Sequence, residues 1–133
     1  MPVNPPFITA IFAAILGLMA AALTANVIIH RVRLKVDSGD GGLPAMAQAI
    51  RAHGNFAEQV PLALLLIAGV EMLGAARWLV VALGAALLVA RLASALGLGR
   101  SLAGTPPRQI GAALTLAVTI VASVTILATA LAH

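Results

Sequence analysis

The chain has 133 residues, of which 62% are hydrophobic and 9% charged, with eight Lys and Arg against four Asp and Glu. Soluble domains carry about 45–50% apolar and about 25% charged residues, so a water-soluble globule and a disordered tail are both excluded and an integral membrane protein remains. Cysteine and tyrosine are absent, and the missing cysteine removes disulfides, thiolate metal sites and a cysteine nucleophile.

A helix crossing ~30 Å of hydrocarbon takes about 20 mostly apolar residues. Residues 7–29 provide a first uncharged span, entered by Asn4-Pro5-Pro6 and closed by His30, Arg31, Arg33 and Lys35. Prolines suit a helix's first turn, where the N–H groups are unpaired anyway. No basic stretch precedes this run, which exceeds the ~7–15 residues of a signal-peptide core, so it reads as a retained span. The polar, glycine-rich segment 36–42 predicts an exposed loop. A helix over 44–73 follows, about 30 residues and near 45 Å long, with its membrane part at 57–73 and its start projecting beyond the bilayer. Pro61 inside it is expected to bend it. A turn at 74–77 leads to a third span, 78–98, interrupted by Arg91 and opened by Trp78, an interface anchor. Residues 99–107, with Arg100 and Pro106-Pro107, predict a loop, and 110–132 form the fourth span. Its hydroxyls, on Thr115, Thr119, Ser123, Thr125 and Thr129, are expected to bond back to their own helix's carbonyls. The fold class is therefore all-α integral membrane, one four-transmembrane-helix bundle over 1–133.

The basic residues orient it. Arg31, Arg33, Lys35 and Arg51 border the first loop and Arg100 and Arg108 the third, whereas the second has only Arg77 and the tails have no Lys or Arg. Loops one and three are expected in the cytoplasm and both termini outside. The net charge of +4 is topological, and without a solvated basic face and stacking aromatics no nucleic-acid partner is expected.

Arg51, Asn55 and Glu58 stand at i, i+4 and i+7, one narrow stripe of the second helix, flanked by Gln48 and Gln59. Placing Glu58 or Arg91 at membrane depth costs about 2.5–3.5 kcal/mol each on insertion scales. One reading is a Glu58–Arg91 ion pair that keeps helices two and three in register. The count points elsewhere: Arg31, Arg51, Arg91 and Arg108 come from the same end of four different helices, against a single nearby carboxylate. An anionic ligand would complete that balance. His53 falls on the opposite side of its helix and is expected at the surface, His30 and His133 lie at span or chain ends, and no two histidines share metal-ligand spacing, so no metal is expected. Glu71 could reach Arg77 at i+6 only loosely and reads as interfacial.

The stretch Arg51-Ala52-His53-Gly54-Asn55-Phe56-Ala57-Glu58-Gln59-Val60-Pro61 resembles the R-x-x-x-N-x-x-E-x-x-P signature of the MAPEG family, the membrane-associated proteins in eicosanoid and glutathione metabolism. The likeness extends to Ala90-Arg91-Leu92 with Gly97 and to Pro106-x-Arg108. It implies a homotrimer in the membrane lipid, with sites between subunits that open to the cytoplasm. In glutathione-using members, residues at the positions of Arg51, Asn55 and Glu58 hold the tripeptide. An arginine like Arg108 stabilises its thiolate, and a first-helix arginine like Arg31 lines the same site. Arg91 and Ser94 on helix three join the ligand-contacting set. Such members often carry tyrosine or histidine three and seven residues beyond that arginine, where this chain has Ser94 and Leu98, so it looks closer to the short bacterial branch and an eicosanoid-specific role is disfavoured.

The resemblance thus implies a glutathione-dependent transferase or peroxidase of a bacterial inner membrane, with glutathione as cosubstrate and a lipophilic small molecule as electrophile. Two other readings are a small transporter built on Glu58 and a catalytically inactive protein that keeps the fold.

Overall fold

The computed structural model describes residues 3–100 and 106–132. It contains α1 (Phe7–Leu34), α2 (Pro44–Met72), α3 (Arg77–Arg100) and α4 (Pro106–Leu131), each long and apolar enough to cross a membrane. Neighbours run antiparallel. The start of α1 meets the end of α2, where Asn4 donates its backbone N–H to the Met72 carbonyl at 3.2 Å. Arg31, Arg33, Lys35, Arg51 and Arg108 consequently share one end of the bundle and Arg77 the other.

Helices α2 and α3 form the centre, each packing on the other and on both remaining helices, while α1 and α4 do not touch. The reason is in the spacing. On α2 the buried residues Phe56, Val60, Ala63, Ile67 and Val70 alternate steps of four and three, and α4 repeats this with Gly111, Thr115, Val118 and Ala122. That 3.5-residue period keeps one seam facing its neighbours along the whole span. On α1 only Thr9 and Leu16 are buried. Large apolar side chains elsewhere, among them Phe7, Leu18, Leu65, Leu96 and Leu131, point outward, as hydrocarbon surroundings demand. Since lipid is as apolar as the core, close backbone approach holds the helices together, and small residues mark it. A Cβ on Gly84 would collide with the Phe12 ring of α1, and one on Gly111 would strike Ser94 Oγ and lie 2.6 Å from the Ala90 carbonyl oxygen.

Several boundaries differ from those read in the sequence. Helix α1 continues past its apolar span to Leu34, while α2 runs through Pro61 as one helix, as read from the sequence. Helix α3 runs through Gly97 and Gly99 to Arg100, and α4 starts at Pro106. The proline pair expected in the loop is the first turn of α4, where the missing N–H groups cost nothing. Of the predicted loop 99–107, residues 101–105 lie outside those described, as does His133.

The first loop is built rather than merely exposed. Lys35 caps α1 in the left-handed region at φ 54°, and Val36 turns inward to pack with Met46 and Ala49. Gly41 adopts φ +60° directly over Val36, 3.0 Å from where a Cβ would stand, so a side chain there is doubly excluded. Asp40 Oδ1 accepts the Gly42 N–H at 2.9 Å, the side-chain turn that leads into α2.

Candidate functional site

Arg91 is the centre of the polar structure. It occupies the α3 seam, 2% exposed, one turn from Leu87 and Ser94. Its partners are four neutral oxygens drawn from three helices. Nη1 donates to Asn55 Oδ1 of α2 at 2.8 Å, and Nη2 donates to Ser94 Oγ at 3.1 Å, to the Gly111 carbonyl at 3.2 Å and to Thr115 Oγ1 at 2.7 Å. Nε is buried and has no partner among the described residues. The Glu58–Arg91 pair allowed by the sequence is replaced by this arrangement. A guanidinium presents a rigid fork of donors, and the small residues of the α3–α4 contact bring a backbone carbonyl and two hydroxyls within its reach.

Thr115 corrects the sequence reading in part. Its hydroxyl does donate back to its own helix, to the Gly111 carbonyl at 2.9 Å, and so do those of Thr119, Thr125 and Thr129 to theirs. Thr115 alone of these also accepts from Arg91.

The α2 stripe divides by exposure. Arg51 and Glu58 are exposed and Asn55 between them is half-buried. Beside Glu58 runs a groove of about 180 Å³ between α2 and α4, bordered by Gln59, Thr115, Leu116 and Thr119. Arg31 is half-buried at the end of α1, where its Nη1 donates to the loop carbonyls of Val36 at 3.3 Å and Gly39 at 3.0 Å. Arg108 is half-buried in the first turn of α4. Ser94, 4% exposed, lies behind Asn55 on Arg91. The residues expected to surround one ligand thus sort into an outward set, Arg51, Asn55 and Glu58, and an inward brace, Arg91 with Ser94. His53, expected at the surface, is half-buried, because it shares the packed side of α2 with Ala49, Phe56 and Val60, away from the stripe; among the described residues no cluster of His, Cys, Asp or Glu could hold a metal ion.

At the opposite end of the bundle Glu71, read from the sequence as interfacial, is instead a buried cap. It is 9% exposed and caps α1 from another helix: Oε1 accepts the Ile8 N–H at 2.8 Å, and Oε2 accepts the Thr9 N–H at 2.7 Å and hydroxyl at 2.6 Å. Helix α1 has no acidic residue in its first turn and no side-chain cap from Pro6, so its free N–H groups need an acceptor from elsewhere. That vacancy was the signal in the sequence.

Comparison with known proteins agrees with this architecture. A family model described as the MAPEG family matches residues 9–128. The inner membrane protein YecN of Escherichia coli K12 is 36% identical over 85 residues, 64% of this chain and 65% of that protein, and YecN of Escherichia coli O6:H1 matches equally. The match spans 65% of the length of these curated relatives. No solved structure matches the chain. With its four apolar helices and a family match over nearly its whole length, the chain is a membrane protein that belongs to the MAPEG family.

Proposed function

We propose that this protein is a glutathione-dependent transferase or peroxidase-type enzyme of a bacterial inner membrane, acting on lipophilic electrophiles. The observation that carries the reading is the outward set on α2: a cation and an anion exposed on either side of a half-buried amide. Glutathione has two carboxylates, one ammonium and peptide oxygens. Arg51 suits a carboxylate, Glu58 the ammonium, and Asn55 an oxygen between them. Exposed charge on a membrane helix is tolerable where another polar surface covers it, which supports a homotrimer with the site between neighbouring copies. The relatives' inner-membrane location and the basic end of the bundle support a cytoplasmic opening, with both termini outside.

The chemistry needs a thiolate. A free thiol has a pKa of about 8.5 and ionises more readily beside a guanidinium and a helix N-terminus. Arg108, in the first turn of α4, offers both, and Arg31 adds a second cation on the same end of the bundle. The sulfur then attacks an electrophilic carbon that arrives from the lipid, forms a thioether and expels the leaving group. Arg91 and Ser94 take no part in that contact, being buried behind Asn55.

Glutathione titrated into the purified protein in detergent is expected to bind saturably, with Arg51→Ala and Glu58→Gln each weakening it at least tenfold, about what a charge-assisted contact contributes. No binding at millimolar glutathione would sink the reading. Arg108→Ala is expected to leave that affinity within threefold while lowering the fraction of bound thiol that is ionised, read from ultraviolet thiolate absorbance. An unchanged fraction would remove Arg108 from the thiolate role.

A further inference from the structure

The orientation of one amide is forced by its neighbour. Asn and Gln side chains can be turned either way, with oxygen and nitrogen exchanged, unless a partner decides. The partner of Asn55 is Arg91, whose guanidinium has donors and no acceptor, so the atom 2.8 Å from Nη1 has to be Oδ1. The guanidinium is itself immobilised: Nη2 is fixed on Ser94, Gly111 and Thr115, and the whole side chain is buried. The half-buried amide therefore turns its Nδ2 protons away from Arg91, on a residue whose stripe neighbours Arg51 and Glu58 are exposed.

We infer that Arg91 is a positioning residue that locks Asn55 as a hydrogen-bond donor, so that the α2 stripe selects ligands presenting an acceptor oxygen between a carboxylate and an ammonium. The inference rests on the glutathione reading for the ligand and on the Arg91–Asn55 bond for the selectivity. It separates two roles that the sequence joins. Arg91 touches no ligand, and its charge acts through the amide it orients. A helix brace alone would leave the direction of that amide irrelevant to binding.

Two arms test this. The chain has three asparagines, Asn4, Asn26 and Asn55, so ¹⁵N-asparagine labelling gives three side-chain NH₂ pairs, and Asn55→Asp identifies one by deleting it. In ligand-free protein, Arg91→Gln is expected to shift the Asn55 pair while that of Asn4, at the far end of the bundle, stays in place. Arg91→Lys keeps the charge and serves if the neutral variant does not fold. A folded Arg91 variant with the Asn55 pair at its wild-type frequencies overturns the inference. In the second arm Asn55→Asp still gives Arg91 an acceptor but offers the ligand no donor. Its unfolding temperature should match or exceed wild type, while glutathione affinity falls about tenfold to a hundredfold. Wild-type affinity in Asn55→Asp overturns the selectivity. If the Asn55 pair responds to Arg91 but never to glutathione in the wild-type protein, the locking of the amide stands and the glutathione reading falls.

Discussion

Replacing Glu71 with alanine is expected to lower the thermal unfolding temperature of the protein in detergent by ~10 °C, corresponding to about 3 kcal/mol. The carboxylate is nearly buried and receives three donors, the N–H groups of Ile8 and Thr9 and the Thr9 hydroxyl. Alanine would leave those donors facing a cavity in a helix end that has no other cap. It would also remove an anion from the positive end of the α1 dipole. Glu71→Gln retains one acceptor oxygen and no charge, so about half the loss is expected. Thr9→Val removes the hydroxyl alone and should cost about 1 kcal/mol. If an ion pair with Arg77 held Glu71 in place, Arg77→Gln would be as harmful as Glu71→Ala. Arg77 is exposed, and exposed charge pairs contribute about 0–1 kcal/mol, so Arg77→Gln should unfold near wild type. Equal losses in Glu71→Ala and Arg77→Gln would reject the cap.

The contrast shows what a sequence exposes and what it hides. The four spans were legible because hydrocarbon thickness imposes a length and a composition, and both are written in consecutive residues. Helix ends were less so. Pro106-Pro107 reads as a loop when proline is taken as a breaker and as a first turn when its missing N–H is counted, and α4 uses the second. Glu71 and Thr9 are 62 residues apart, and nothing local to either names the other. The outward stripe of Arg51, Asn55 and Glu58 could be read because one helix carries all three. The brace behind it could not, because Asn55, Arg91, Gly111 and Thr115 come together only when α2, α3 and α4 are packed.

Both polar clusters also follow one rule. In the hydrocarbon region a charged group persists where protein oxygens or N–H groups replace water. Arg91 meets that condition with neutral acceptors from three helices, and Glu71 with the free N–H groups of a fourth. Each charge therefore ties helices together that lipid alone would not hold. Among the described residues Glu58 does not meet it, and with Arg51 two turns before it on α2 it is where a ligand or a second copy is expected to act.

The largest loss is expected from Gly111→Ala, about 4–6 kcal/mol, together with at least tenfold weaker binding of the glutathione proposed as ligand. An added Cβ would overlap Ser94 Oγ and stand 2.6 Å from the Ala90 carbonyl oxygen and 3.0 Å from the Ser94 backbone nitrogen. Backbone cannot rotate aside as a side chain does, so α4 must move off α3. Overpacking of this kind costs about 1–3 kcal/mol. The displacement also carries the Gly111 carbonyl and Thr115 Oγ1 away from Arg91, leaving a buried guanidinium short of two acceptors at about 1.5 kcal/mol or more each. With its anchors gone, Arg91 is expected to release Asn55, so that an effect that begins at the α3–α4 contact reaches the α2 stripe proposed to hold the ligand. Gly17→Ala is the matched control, since nothing lies within 4 Å of its added Cβ. Helix propensity alone makes that change neutral or favourable by up to about 1 kcal/mol. Adding Ser94→Ala to Gly111→Ala removes one obstructing atom but leaves the Ala90 carbonyl in place, so recovery should be partial. Wild-type unfolding of Gly111→Ala would mean that the α3–α4 contact is looser than this packing requires, and that Arg91 draws its position from elsewhere.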